Sequence, residues 1–390
     1  MISYQPPRTT VQQVLQRHWC EAKDQPVQVQ KVLSRIRRCR TSTLGYHVYK
    51  CRSADCEYIK YQYHSCRDRH CPGCGAVKKQ QWIEARMQEL LPVKYYHVVF
   101  TLPHELNSIV LGNRKTLFKL LFDAAAATLL RFAEDPKYLG ALPGIISVLH
   151  TWGQQLSFHP HVHSIVSGGG IVKGNGWREA KKNDYQFLFP VKALQKVFRG
   201  KFLQGLRLAV KAGEVTLPQG QTDLSELLER MYRKHWVVYA KAPLGSPYAV
   251  IEYLGRYTHK VAISNHRISS INDKEGTVTF DYKDYADKST KKQMTLTVQE
   301  FVRRFALHIL PERFTKIRTY GYLANRGRRQ RIGDVLKGLK LPVHKGLVKL
   351  PLHISVREQY GIDITECPWC HEKTLQLVMV HYPTKQVEDG

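Results

Sequence analysis

The cysteines of this chain are distributed very unevenly. Seven of the nine lie between Cys20 and Cys74, and the other two form the short segment Cys367-Pro-Trp-Cys370. The N-terminus lacks the apolar stretch of a signal peptide, so a cytoplasmic location is expected, where thiols stay reduced. The cysteines therefore predict bound metal rather than disulfides, with a metal-stapled N-terminal module, a cysteine-free core and a C-terminal knuckle.

Four of the cysteines have the spacing of a structural zinc site. Cys71-Pro-Gly-Cys74 places two thiolates two residues apart on a turn, and Cys51 and Cys56 supply a second pair. A tetrahedral Zn²⁺ binds four such sulfurs at about 2.3 Å. This grouping is the first expectation, while Cys20 stands apart and is expected to be an ordinary buried thiol.

The remaining cysteines leave further zinc sites open. Cys39 and Cys66 can form a second site together with a nearby histidine, from among His47, His64 and His70. Cys367 and Cys370 can form half of another site, completed by His371, His381 or cysteines of the N-terminal cluster. In each case zinc would be structural, because it would close a module whose apolar core is small.

The charge of the chain points to nucleic acid. Lys and Arg number 60 against 32 Asp and Glu, a net charge of +28 that is spread along the sequence. Such an excess favours a polyanionic partner, most simply DNA or RNA. No run of about 20 apolar residues is present to cross a membrane.

Particular basic and aromatic residues are candidates for contact with DNA. Tyrosines among the cysteines can stack on unpaired bases, and arginines can contact phosphates. The tyrosines are Tyr46, Tyr49, Tyr58, Tyr61 and Tyr63. The predicted DNA-binding arginines are Arg37, Arg38, Arg67 and Arg69, together with Arg328 and Arg329 in the basic stretch 326–331.

The apolar patterning predicts a core of the α+β class. The predicted strands cover residues 95–102, 145–152, 162–167, 261–264 and 277–282. The predicted helices cover residues 77–91, 115–132, 224–236 and 249–258. Gly168-Gly-Gly170 is expected to end the third strand, and Thr297 with Glu300 forms a capping box that opens one more helix.

Two histidines in the core have the spacing of a metal site. His161-Val-His163 lies at the start of an apolar strand, where alternate residues point to one face, so both imidazoles can bind one ion. Gln154 follows the preceding strand and can supply a third ligand, although an exposed polar residue is an equally good interpretation. Pro160 argues that the strand begins after His159.

Two tyrosines complete this pattern. Tyr253 and Tyr257 are four residues apart, so on a helix their phenols share one face, and Arg256 and Lys260 add cations beside them. A pair of this kind is common in cores, but with the histidines it fits the cleavage of a DNA phosphodiester by a tyrosine. A phenol has a pKa of about 10, so the attack of a tyrosine on a phosphate has to be assisted. Mg²⁺ or Mn²⁺ on His161 and His163 would assist it by polarising the scissile phosphate and stabilising the developing charge.

At these residues the sequence resembles the rolling-circle transposases of the insertion sequence ninety-one family, in the HUH endonuclease superfamily. The resemblance covers nearly the whole chain. It rests on the segments Cys66-Arg-Asp-Arg-His-Cys71-Pro-Gly-Cys74, Phe158-His-Pro-His161-Val-His163 with Gly168–Gly170, and Tyr253-Leu-Gly-Arg-Tyr257, and on Glu300-Phe-Val-Arg-Arg-Phe305, His308-Ile-Leu-Pro311 and Tyr320-Gly-Tyr-Leu323 further on.

The resemblance implies transposition of single-stranded DNA through 5′-phosphotyrosine intermediates. Tyr253 and Tyr257 would be the nucleophiles, and His161 and His163 would hold the metal. It also implies three units: a zinc-binding DNA-recognition domain at 1–92, an antiparallel HUH nuclease core at 93–345 with a helical insertion at about 171–246, and a C-terminal segment at 346–390.

Two other functions fit parts of the pattern. A plasmid replication initiator or a relaxase would use the same tyrosines and metal at an origin of replication or transfer. A zinc-finger DNA-binding protein without catalytic activity would bind DNA and never form a covalent adduct. The zinc module favours the transposase over the first, and the presence of both the histidine and tyrosine pairs argues against the second.

Overall fold

The computed structural model describes residues 9–87, 89–172, 176–180, 188–220, 223–244, 261–285, 287–342 and 363–383, with single positions 250, 255, 354, 357 and 361. The described α-helices are α1 Val11–Arg17, α2 Cys20–Lys23, α3 Val27–Arg37, α4 Ala76–Met87, α5 Asn107–Gly112, α6 Arg114–Glu134, α7 Val191–Lys211, α8 Leu224–Arg233, α9 Val298–Ala306 and α10 Arg328–Gly338. The described strands are β1 Tyr46–Cys51, β2 Ile59–Tyr63, β3 Tyr95–Thr101, β4 Leu142–Trp152, β5 Phe158–Val172, β6 Gly176–Glu179, β7 Val238–Leu244, β8 Ile268–Asn272, β9 Thr277–Asp284, β10 Thr290–Thr297, β11 Ile317–Gly321 and β12 Leu375–His381.

The largest sheet is antiparallel and forms the centre of the molecule. Its strand order is β11-β4-β5-β3-β7, and β6 pairs with β5 beside this path. Helices α6 and α7 cover one face, where Phe100, Leu149 and Val162 pack with the helix residues Phe122 and Phe198 in one apolar core. Burial of this many large apolar side chains is the main stabilising contribution to the domain.

The opposite face of this sheet is covered over only part of its length. Ile146 and Ile165 pack there with Leu90, Val335 of α10 and the isolated described residue Val250. The part of the face that carries the histidines lies beyond this core. The sheet therefore has one mainly apolar side, where the buried Ser147 and Ser164 hydroxyls bond to each other at 2.8 Å, and one side divided between packing and polar groups.

The N-terminal helices share a core with the second β-sheet of the core region. This sheet has the order β10-β9-β8 and packs against α9. Leu15 of α1 and Ile36 of α3 lie in one apolar cluster with Phe280 of β9 and Phe301 of α9. Packing thus crosses the predicted boundary at residue 92, and the three predicted units remain a prediction.

A small third sheet brings the two ends of the described chain together. Its order is β12-β1-β2, and both pairs are antiparallel. The C-terminal strand β12 therefore completes a sheet that the N-terminal module begins. Gly45, at φ +82, lies under the end of this strand, since a Cβ there would be 2.3 Å from the carbonyl oxygen of His381.

The predicted α+β class is confirmed. The strands predicted at 95–102, 145–152, 162–167 and 277–282 and the helices predicted at 77–91, 115–132 and 224–236 are present with shifted ends. Most of the predicted helix 249–258 lies outside the described residues. Helices α7 and α8 of the predicted insertion pack on α6 and on Trp236 inside the main core, so they are integral to the domain.

Three local predictions were wrong. Residues 261–264 form bends rather than a strand. Strand β5 begins before Pro160 and runs through Gly168–Gly170, where neighbours crowd the backbone: a Cβ on Gly170 would lie 2.5 Å from the carbonyl oxygen of Leu142. Only half of the capping box forms, because Thr297 accepts from the Glu300 N–H while the Glu300 carboxylate binds Arg303 and Arg304.

Among the described residues, no helix is long and apolar enough to cross a membrane.

Replacing Gly321 with alanine should lower the free energy of unfolding by more than about 2 kcal/mol. Gly321 has φ +66 at the end of β11, and a Cβ there would lie 1.6 Å from the carbonyl oxygen of Pro143. Gly333→Ala is the matched control, because open space surrounds Gly333 within α10. It should be neutral or stabilising. Equal effects of the two substitutions in urea unfolding would contradict this account.

Candidate metal centres and DNA surface

Three histidines meet on the polar part of the central sheet. In β5, His161 and His163 are two residues apart and point to the same face. The register of the neighbouring strand places His150 of β4 directly opposite His161. One nitrogen from each of these imidazoles lies within 4.8 Å of the others. This arrangement can hold a divalent cation.

The structure gives Gln154, the predicted third ligand, other hydrogen-bond partners. Gln154 follows the end of β4, and its amide forms hydrogen bonds with the Tyr285 hydroxyl at 3.3 Å and the Lys283 N–H at 3.5 Å. The side chain is thus bound to the β8–β10 sheet region. His150 takes the place that the sequence analysis gave to Gln154. The sequence signal for His150 was a histidine inside the apolar strand that precedes Gln154.

Hydrogen bonds orient the two histidines of β5. The Nδ1 of His161 lies 2.6 Å from the carbonyl oxygen of His159 and therefore donates to it. The Nδ1 of His163 lies 2.9 Å from the Nε2 of His97, a residue of β3 that is 2% exposed. Each ring has a nitrogen within 4.8 Å of a nitrogen of each of the other two histidines in the cluster. Partners of this kind fix the tautomer and orientation of metal-binding histidines.

His97 is a second residue that the sequence analysis missed. Burial, and then the charges of Lys241 and His161, lower the pKa of His97 to about 3. Its imidazole is therefore neutral throughout the physiological range, and it stacks on the His163 ring with a centroid distance of 5.1 Å. A neutral His97 ring can form one hydrogen bond with His163 and adds no charge to the cluster.

Tyr253 and Tyr257, with Arg256 and Lys260, lie outside the described residues. Two residues of the same segment are described. Val250 is fully buried in the core that contains Ile146 and Ile165. A Cβ on Gly255 would lie 2.5 Å from Cδ1 of Ile83, so the backbone at Gly255 lies directly against helix α4.

The first cysteine cluster contains Cys39, Cys66, Cys71 and Cys74, whose sulfurs all lie within 4.8 Å of one another. The Cys66 and Cys74 sulfurs are 3.6 Å apart, and the Cys66 N–H points to the Cys39 sulfur at 3.4 Å. Hydrogen bonds from the other three thiols lower the pKa of Cys39. Four sulfurs at this spacing can hold one cation.

The second cysteine cluster combines Cys51, Cys56, Cys367 and Cys370. The expected grouping of Cys51 and Cys56 with the Cys71-Pro-Gly-Cys74 knuckle was therefore wrong. The sheet explains the difference: β1 ends at Cys51 and pairs with β12, which brings the C-terminal knuckle next to it. A hydrogen bond from the Thr374 hydroxyl at 3.1 Å lowers the pKa of the Cys51 thiol to about 6.

The histidines considered as zinc ligands have other partners. His70 accepts the Leu310 N–H at its Nε2 and donates from its Nδ1 to Asp68 at 2.9 Å. His64 bonds the carbonyl oxygen of Leu44. His47 packs on His64, and His381 stacks on Tyr46. Cysteines alone therefore make up both described clusters.

Comparison with known proteins finds two families that match parts of this chain. Residues 11–102 match a family described as "Transposase zinc-binding domain", and residues 144–331 match one described as "Putative transposase". "Putative transposase y4qJ" of Sinorhizobium fredii is 42% identical over 356 residues, covering 88% of this chain and 87% of that protein.

The chain belongs to the insertion sequence ninety-one family of transposases. The transposase for insertion sequence element IS801 of Pseudomonas savastanoi pv. phaseolicola is 29% identical over 346 residues, which cover 87% of this chain and 81% of that protein. No solved structure matches. A family of this kind acts on DNA, and the protein carries a zinc-binding domain.

The transposase uses two of the predicted DNA-binding arginines for its own structure. The Arg69 guanidinium donates to the carbonyl oxygens of Phe314 and Pro311, which docks the first cysteine cluster on the segment that follows α9. Arg328 forms an ion pair with Glu89 at 3.0 Å and bonds the carbonyl oxygen of Leu323. These contacts give both arginines a structural role, and their contact with DNA remains a prediction.

The other predicted arginines keep faces open to solvent. Arg37 lies over the Trp19 ring at 4.7 Å and is half-buried. Arg38, Arg67 and Arg329 are exposed. These positions remain predicted DNA contacts of the transposase.

One face of the small sheet is rich in exposed aromatic rings. The register places Tyr61 and Tyr63 of β2 opposite Val48 and Tyr46 of β1, so all four side chains share a face. Tyr61 is 55% exposed and Tyr63 is 42% exposed. Tyr46 contacts both of their rings edge-on, with centroids 5.7 and 5.8 Å away. Strands β1 and β2 each carry one lysine, and none of the three strands carries a carboxylate.

Arg69→Ala should lower the free energy of unfolding by about 1.5–3 kcal/mol, because a charged donor is lost from two backbone carbonyls. Arg67→Ala is the matched control: Arg67 is exposed and two residues away, so its loss should change stability by less than about 0.5 kcal/mol. Thermal unfolding monitored by circular dichroism measures both. Equal stability of the two variants would mean that Arg69 does not anchor the zinc module.

Proposed function

We propose that this transposase cleaves and rejoins single-stranded DNA at the ends of its element through 5′-phosphotyrosine intermediates, as in rolling-circle transposition. The observation that carries the proposal is the cluster of His150, His161 and His163 on one face of the central sheet. Val250, three residues before Tyr253, packs on the same face. Val250 thus ties the chain, three residues before Tyr253 in sequence, to the sheet that bears the histidines.

The proposed reaction is a transesterification. The phenol oxygen of one tyrosine attacks phosphorus and loses its proton, and the bond from phosphorus to the 3′ oxygen breaks. That oxygen takes up a proton and leaves as a 3′-hydroxyl, while the 5′-phosphate stays on the tyrosine. Bond energy is retained in the phosphotyrosine, so a 3′-hydroxyl can reverse the step and join strands without a nucleotide cofactor.

The side chains of this segment have separate roles in the proposal. Tyr253 and Tyr257 are the nucleophiles, so one can hold a cut strand while the other attacks a second phosphate. Arg256 and Lys260 stabilise the phenolate and the phosphate by their positive charge. A divalent cation held by the imidazoles would polarise the scissile phosphate and stabilise its developing charge.

The donor set favours Mn²⁺ over Mg²⁺ at this site. Mg²⁺ prefers oxygen ligands, whereas imidazole nitrogens suit ions further along the transition series. With His150 in the place expected for Gln154, all three protein donors are nitrogen. Mn²⁺ accepts both nitrogen and phosphate oxygen, so it fits the histidines together with the DNA.

Single-stranded DNA is the proposed substrate because of the aromatic face of the small sheet. Unpaired bases expose faces that can stack on tyrosine rings, whereas the base faces of duplex DNA are stacked inside the helix. Tyr61 and Tyr63 present such rings, and Lys50 and Lys60 lie in the same strands to contact phosphates. The charge of +28 along the chain supports binding to a long polyanion.

The covalent adduct is the direct test. The transposase should form an adduct with a labelled single-stranded oligonucleotide that carries the ends of its element, in the presence of Mn²⁺, and little with the matching duplex. A denaturing gel separates the adduct from free DNA. Tyr253→Phe with Tyr257→Phe should abolish it, and each single substitution should remove one of the two strand-joining steps.

Tyr239→Phe is the matched control for this experiment. Tyr239 is 51% exposed and lies on the same sheet face, since it pairs with Val99, which pairs with His163. Its loss should leave the adduct unchanged. An adduct that survives loss of both Tyr253 and Tyr257 would overturn the proposed nucleophiles, and one that disappears with Tyr239 would transfer the role to that residue.

Metal binding tests the histidine cluster separately from cleavage. His150→Ala should weaken binding of Mn²⁺ by at least about 100-fold, the upper end of what loss of an outer hydrogen-bond partner costs. Gln154→Ala should leave it unchanged, since Gln154 faces the Tyr285 hydroxyl. The electron paramagnetic resonance signal of free Mn²⁺ reports the affinity. The reverse ranking of the two variants would restore Gln154 as the ligand.

A further inference from the structure

We propose that Cys51, Cys56, Cys367 and Cys370 bind a structural zinc ion that joins the two ends of the chain. Two of these cysteines belong to the N-terminal module, and the other two lie beyond residue 366. The matched zinc-binding domain ends at residue 102, so this site lies partly outside it. The ion is distinct from the one that Cys39, Cys66, Cys71 and Cys74 can hold.

The distances between the sulfur atoms fit a tetrahedral ion. Zinc–sulfur bonds of about 2.3 Å place any two ligand sulfurs about 3.8 Å apart. The Cys51 and Cys370 sulfurs are 3.6 Å apart, and the Cys56 and Cys367 sulfurs are 3.7 Å apart. A disulfide requires about 2.05 Å. The four thiols are therefore spaced as ligands around a common centre rather than as bonded pairs.

The surroundings of these sulfurs show why an ion is needed. Within the described residues, the apolar cluster at this place consists of the buried Cys51, Cys56 and Cys367, with only Tyr58 and Cys370 packed against them. Tyr58 is thus the one large side chain in this cluster among the described residues. So small a core gives little hydrophobic stabilisation, which is the situation in which small modules depend on a structural metal.

The backbone of the C-terminal knuckle is arranged as in the first cluster. Cys367-Pro-Trp-Cys370 is followed by His371 at φ +60, and Cys71-Pro-Gly-Cys74 is followed by Gly75 at φ +102. The His371 N–H donates to the Cys367 carbonyl at 2.9 Å, and the Cys367 N–H donates to the Glu372 carbonyl at 2.8 Å. The turn thus holds two sulfurs together at the cost of one residue in a left-handed conformation.

The site lies where strands from the two ends of the chain meet. Cys51 ends β1 and is paired with Leu375, the first residue of β12, and the Arg52 N–H donates to the Thr374 carbonyl at 3.1 Å. Cys51 and Cys370 are 319 positions apart in sequence. An ion shared by them would hold β12 on β1 and so maintain the sheet that presents the tyrosines.

Zinc counts on the full-length protein test this proposal. After dialysis against metal-free buffer, elemental analysis should find two zinc ions per wild-type chain. The variant Cys51→Ser with Cys56→Ser and the variant Cys367→Ser with Cys370→Ser should each retain one. The quadruple variant should also retain one, because all four cysteines share the same ion.

Cys20→Ser is the matched control and should retain both ions. Cys20 is exposed, contrary to its expected burial, and it belongs to neither described cluster. One zinc ion in the wild type would overturn the proposal, and this result does not depend on how the variants fold. Iron in place of zinc would also overturn it, as would a quadruple variant that loses more metal than either double variant. The zinc count does not depend on nuclease activity. The proposed function can therefore fail while the zinc proposal holds, and the reverse is also true.

Discussion

The pairing register of β4 against β5 decides what the central sheet can do. His161 and His163 share a face through strand alternation alone, but His150 joins them only because it pairs directly with His161. A slip of one residue would turn His150 toward the apolar core under α6. The same register sets Ile146 opposite Ile165, so the packing that fixes the alignment and the polar cluster belong to one face.

Predictions from the sequence succeeded where the pattern was local. The His161-Val-His163 pair, the Cys71-Pro-Gly-Cys74 knuckle and the long helix α6 follow from periods of two or about four residues, or from one turn. Predictions failed where distant segments had to be matched. Cys56 and Cys367 lie 311 positions apart, and nothing in their spacing indicates that β12 pairs with β1. His150 was missed for the same reason, because strand neighbours and register are long-range properties.

The basic residues illustrate a different limit. Arg67 and Arg69 are alike in sequence context and both are exposed, yet Arg69 donates to the carbonyl oxygens of Phe314 and Pro311. Composition predicts that a chain of charge +28 binds a polyanion, but it does not say which cation faces the DNA. The carbonyl partners of Arg69 lie more than 240 positions away in sequence, so its structural role follows from the folded chain and not from the local pattern.

These contacts connect the first cysteine cluster with the histidine cluster. His70, next to Cys71, accepts the Leu310 N–H, and two residues earlier His308 bonds the Thr151 hydroxyl and the Leu156 carbonyl. Thr151 directly follows His150. Each link is a hydrogen bond between buried or half-buried groups. A movement of the Cys71–Cys74 turn would therefore also displace the end of β4. Because His150 lies at that end, zinc in the first cluster would stabilise the geometry of the histidine cluster as well as the N-terminal module.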